Sequence, residues 1–114
     1  MSTTLSTIAQ RLADEIKAQD WSDAHTRPDG ARHDRQVDRK ATDTLTAEQT
    51  ELVRLNVVWV TGQALLEDDP RFDIRAYAEA CGVSTSWLLT KRGAPNRGIE
   101  SGLRPRRSRV VWDD

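Results

Sequence analysis

Ile74-Arg-Ala-Tyr-Ala-Glu-Ala-Cys-Gly-Val-Ser-Thr-Ser-Trp-Leu-Leu-Thr-Lys-Arg-Gly93 reads as two short helices joined by a tight turn at Cys81-Gly82-Val83. Asp73 is placed to cap the first helix, whose buried side is expected to carry Ile74, Tyr77, Ala78 and Cys81. Gly82 can adopt the positive φ that such a turn requires. Small Ala78, four residues earlier, keeps the first helix slim where the second must approach. The Ser84 hydroxyl is positioned to accept from an otherwise unpaired N–H of the second helix, which the pattern predicts over Thr85 to Arg92, stopped by Gly93. This stretch makes the fold mainly α, a helical domain built on a pair of close helices.

Working upstream, residues 46–67 form the strongest predicted helix. Thr46-Ala-Glu-Gln49 is a capping-box pattern. Leu52, Val53, Leu55, Val57, Val58, Trp59, Val60, Ala64, Leu65 and Leu66 then cover most of the helix circumference. So apolar a helix is either central to the core or shared with a second subunit. The β-branched run through Val60 also admits a short strand, but the caps and total length favour helix. Pro70 ends the element by disfavouring helical geometry in the residue before it.

Residues 4–19 carry Leu5, Ile8, Ala9, Leu12, Ala13 and Ile16 on one helical face, with Thr4 as a plausible cap. Between the two helices, residues 20–44 are polar, charge-balanced and interrupted by Pro28 and Gly30, which predicts a mobile or loosely packed linker. Three regions follow: an amphipathic N-terminal helix (1–19), a polar linker (20–44) and a domain (45–114). Downstream, Ala94 to Gly98 reads as a loop. Ile99–Leu103 and Arg107–Trp112 are expected to pair as a small C-terminal β-hairpin, with Ser108, Val110 and Trp112 on one face.

The 114 residues suffice for one modest domain, and no run of about 18 apolar residues exists to cross a membrane. The start lacks a secretory pattern, and the single Cys81 fits a reducing, cytoplasmic setting as a small buried hydrophobe. Net charge is −1, yet its distribution is uneven. Residues 91–109 hold seven basic side chains and one acid, Glu100, whereas residues 45–73 hold two basic and six acidic ones. Such asymmetry lets a nearly neutral chain present one positive face to phosphates.

Ala78-x-x-x-Gly82-Val83-Ser84-x-Ser86, followed by Lys91-Arg92-Gly93 and a basic segment ending Arg109-Val-Val-Trp112, resembles helix-turn-helix proteins. The closer likeness is to winged members among small phage regulators and excisionase-like proteins, and it covers roughly residues 70–112. Where that family has an aliphatic residue seven positions after the cap, this chain has Lys91. Leu88, with Trp87 or Leu89, is left to anchor the second helix. The resemblance implies a recognition helix in the major groove of double-stranded DNA. Ser84, Thr85, Ser86 and Thr90 would then face the groove, and Arg92, with Lys91 next, would read guanine. Arg97, Arg104, Arg106, Arg107 and Arg109 would neutralise phosphates, with Arg104 to Arg107 entering a minor groove as an alternative. Against this stands a plain helical hairpin with a solvated basic tail. Trp87 and Trp112 are read first as core residues and second as stacking platforms.

The expected function is that of a sequence-specific duplex DNA binder, a transcriptional regulator or recombination accessory factor of phage or mobile-element type. Reading two half-sites would need a homodimer, through helix 46–66 or the N-terminal helix. The alternative is an antitoxin-like or host-factor-inhibiting interaction module using residues 1–44 on a protein partner. An enzyme is not expected: there is no phosphate-cradling Gly loop and no nucleophile paired with a base. No cofactor or metal is expected either, since the spacing of His25 and His33 matches no compact site.

Overall fold

The computed structural model describes residues 5–34 and 43–105, and these are mainly helical. In chain order the helices are α1 (Thr7–Ala18), α2 (Ala47–Asp68), α3 (Ile74–Ala80), α4 (Thr85–Leu88) and α5 (Gly98–Ser101). Two single 3₁₀ turns, Ala24–Thr26 and Gly30–Arg32, lie between α1 and α2. No helix among the described residues is long and apolar enough to cross a membrane.

Each long helix begins where side chains can satisfy its unpaired N–H groups. Ser6 caps α1 through a bond accepted from Ala9 N, so the cap is Ser6, two residues beyond the expected Thr4. At α2 both halves of the capping box form: Thr46 Oγ1 accepts from Gln49 N at 3.1 Å, and Gln49 Oε1 accepts from Thr46 N at 2.9 Å. These reciprocal bonds select helix over strand for the β-branched run that follows. Asp73 accepts from the amides of Arg75 and Ala76 at the start of α3.

The core forms where α1, α2 and α3 meet. Ala9, Ala13 and Ile16 of α1, Leu55 and Val58 of α2, and Ile74, Tyr77, Ala78 and Cys81 of the α3 region are buried together. Gly62 lets α2 and α3 approach, since a Cβ there would lie 2.8 Å from Ile74 Cδ1. The Tyr77 hydroxyl is satisfied by Thr61 Oγ1 at 2.8 Å. Trp59 ties the C-terminal part to α2: its Nε1 donates to Ile99 O at 2.9 Å, and its ring meets Trp87 edge to face at 6.2 Å.

Three expectations change. The segment foreseen as a loosely packed linker is built over residues 20–34, because Arg27 gathers it. Its guanidinium donates to Asp23, Asp29 and the Asp20 carbonyl, while Gln19 Nε2 donates to Gly30 O and Ser22 O accepts from Leu45 N. The second helix of the pair stops at Leu88 rather than Arg92. Ile99–Ser101, foreseen as the first strand of a hairpin, lies in α5, where Ile99 is buried in the core; the second strand falls outside the described residues.

Candidate nucleic-acid interface

The Cys81–Ser84 turn takes the shape its sequence demands. Gly82 has φ +89°, and Val83 N donates to Ala78 O at 3.1 Å. A Cβ on Gly82 would also stand 3.2 Å from Lys17 Cγ, so α1 closes over the turn. Ser84 then caps α4 by accepting from Ser86 N, and its own amide donates to Glu51 Oε2 of α2 at 2.8 Å.

Why α4 is a single turn follows from where the Leu88 carbonyl goes. A continuing helix would need Arg92 N to donate to it. Instead it accepts from Asn96 N, at 2.9 Å, and from Arg75 Nη1. Leu89 is extended, with φ −129° and ψ 147°, and pairs across an antiparallel bridge with Pro95. Thr90 N donates to Ala94 O at 2.7 Å, Gly93 N donates to Thr90 O, and Gly93 takes φ +83° to close the turn. Residues 88–96 are therefore a tight hairpin-like loop with Lys91 and Arg92 near its tip. Arg75 staples its base, since its Nη2 donates to Asn96 O at 2.8 Å and to both carboxylate oxygens of Glu100 at 2.9 Å.

The loop and α4 enclose a shallow hollow of about 560 Å³ lined by Thr85, Ser86, Leu89, Thr90, Lys91 and Asn96. Four of the residues singled out from sequence, Thr85, Ser86, Thr90 and Lys91, thus come together on one face. The hollow has hydroxyls, an amide and an ammonium group on its walls, and no carboxylate. Ser84 lies alongside, its hydroxyl 2.7 Å from that of Ser86. Leu89, 43% exposed, is the apolar member that sequence reasoning missed as a site residue; its signal was the failure of Lys91 to continue the helical stripe. Asn96 was also missed. It donates from Nδ2 to Ser86 O at 3.2 Å and so joins loop to helix.

Arg92, Arg97 and Arg104 are exposed but do not line the hollow. Arg97 precedes α5, and the backbone of Arg104 is held to α2 by donating to Gln63 Oε1 at 2.8 Å. Arg106, Arg107 and Arg109 lie outside the described residues, as does Trp112. Trp87 packs against Trp59 and provides the second anchor beside buried Leu88. Glu100, the lone acid among residues 91–109, is engaged by Arg75 and so has a cationic partner inside the fold.

A second cluster lies far along the chain from this hollow. Donor atoms of Asp20, Asp23 and His33 sit within 4.8 Å of one another, a convergence that spacing alone did not disclose. His25 is exposed and takes no part. Asp23 is 0% exposed and accepts from Arg27 Nε at 2.9 Å. Burial opposes the Arg27 charge, but its bonds to Asp23 and Asp29 outweigh that and hold its pKa above the ordinary value. The Arg27 hydrogen bond in turn holds the Asp29 carboxyl below its usual range. A guanidinium already supplies the positive charge here, which makes the cluster a structural ion-pair hub.

Comparison with protein families, with curated proteins and with solved structures finds no match to this chain.

Proposed function

We propose that the chain binds double-stranded DNA through the α4–loop face, as a small regulator or recombination accessory factor of the phage or mobile-element class. The observation that carries this reading is the carboxylate-free hollow on which Thr85, Ser86, Thr90 and Lys91 converge. Hydroxyls, amides and ammonium groups at that density suit phosphate oxygens, which take half or more of the hydrogen bonds in protein–DNA contacts. The one-turn α4 is too short to lie along a major groove as a recognition helix. The hairpin-like loop is the part that enters, with Arg92 at its tip as the base reader and Lys91 as a phosphate contact. Arg97 and Arg104 are further exposed cations, and Arg106, Arg107 and Arg109 add positive charge along the sequence.

Fluorescence anisotropy with a labelled duplex, repeated over a salt series, tests this. About six phosphate contacts give a slope of log affinity against log salt near −5. Lys91→Ala should reduce the magnitude of that slope by about 0.9 and weaken all sequences alike. No binding to any duplex at low salt would refute the proposal.

A further inference from the structure

On its core side α2 buries Leu55, Val58 and Gly62; on the opposite side it presents Val53, Asn56, Val60 and Ala64. Val60 is 71% exposed and Leu52 46%, and a groove lined by Leu52, Val53, Asn56, Val57, Val60 and Thr61 runs between two rows spaced four residues apart. Such grooves between rows of side chains are what a second helix fills. No charged residue lies among those six.

We infer that the occupant is a second copy of this chain, its α2 packed antiparallel on the same face. In a two-fold interface residue i meets residue j and j meets i, so only a charge beside the axis would meet its own kind. This patch is neutral in its middle. Its ends also match. Along the outward stripe the order is Gln49, Val53, Asn56, Val60, Ala64, Glu67. An axis near the middle of α2 faces Asn56 with Val60 of the other copy, and Gln49 with Glu67. The Gln49 amide can then donate to the Glu67 carboxylate, which also approaches the positive end of the partner helix. Acid meets amide at both ends, whereas a parallel pairing would set Glu67 against Glu67. From Gln49 to Glu67 the stripe rises through 18 residue steps, or about 27 Å at 1.5 Å per residue.

The inference is independent of DNA binding, and association of the free chain tests it. Sedimentation equilibrium of the purified full chain, up to about 0.2 mM, populates even a micromolar dimer. A reversible monomer–dimer equilibrium is expected. Val60→Arg should weaken it at least roughly tenfold, because the guanidinium would be buried unpaired in the seam, while circular dichroism stays that of the folded chain. Ala64→Arg, at an exposed position on the same face, is the second variant, and Val60→Leu should keep the dimer. A chain that remains monomeric throughout overturns the inference, including the case where a different protein covers the face. A dimer that survives both arginine variants overturns it as well, by placing the interface elsewhere.

Discussion

Arg92 and Cys81 show how differently two residues close in sequence can be used. Arg92 is exposed near the tip of a stapled loop. Arg92→Ala should leave thermal unfolding unchanged and reduce discrimination between duplexes by about 1–3 kcal/mol, read from competition binding. Cys81 is fully buried beneath the turn, and burial pushes its thiol up to about 12. A thiol so disfavoured as thiolate should not react with a disulfide reagent in the native chain at pH 8, and should react at once in denaturant. Rapid native labelling would show that the turn opens. Glycine works at this scale too. A Cβ on Gly102 would stand 2.1 Å from Trp59 Cε2, so Gly102→Ala must displace the indole and should lower the melting temperature.

At the scale of elements, caps and turns govern. Thr46→Ala removes one half of the capping box of α2 and should cost about 1 kcal/mol in denaturant unfolding. The helices with local signals were legible in the sequence: the Thr46–Gln49 box, the Asp73 cap, the stripe of α1 and the Gly82 turn all act within four residues of one another. What was not legible depends on long-range partners. The end of α4 is set by Arg75, thirteen residues from Leu88 along the chain, and by Asn96, whose amide takes the carbonyl that a longer helix would use. Residues 20–34 read as a linker because their composition is polar; one guanidinium satisfying three acceptors turns polarity into structure. α5 read as a strand because Ile99 and Leu103 alone do not distinguish the two periods. Four hydroxyl and cationic residues of the candidate site were foreseen, but the pose was not, since a hairpin-like loop replaces the outer half of the expected helix.

For the whole molecule, stability is coupled to pH on the alkaline side. Burial raises Tyr77 and Cys81 alike to about 12 in the folded chain. Both groups are neutral when protonated, so the fold favours the protonated form. Their contribution is fully present below the unfolded values, near 8.5 for Cys and 10 for Tyr, and is lost as pH rises through the folded ones. Unfolding free energy measured from about pH 8 to 11 should therefore fall, and Cys81→Ser or Tyr77→Phe should flatten the decline. The charge asymmetry also belongs to this scale. The acidic stretch of residues 45–73 includes α2, and the basic residues follow α4 in the sequence, so a chain near neutrality is uneven in charge along its length.

Amide chemical-shift mapping of the labelled chain, titrated with a short duplex at low salt, asks the molecule directly which surface meets DNA. The largest changes should fall at Thr85, Ser86 and Thr90 to Gly93, with smaller ones at Arg97 and Arg104. Changes concentrated on α1 and residues 20–34, or no changes at saturating duplex, would contradict the assignment of the α4–loop face.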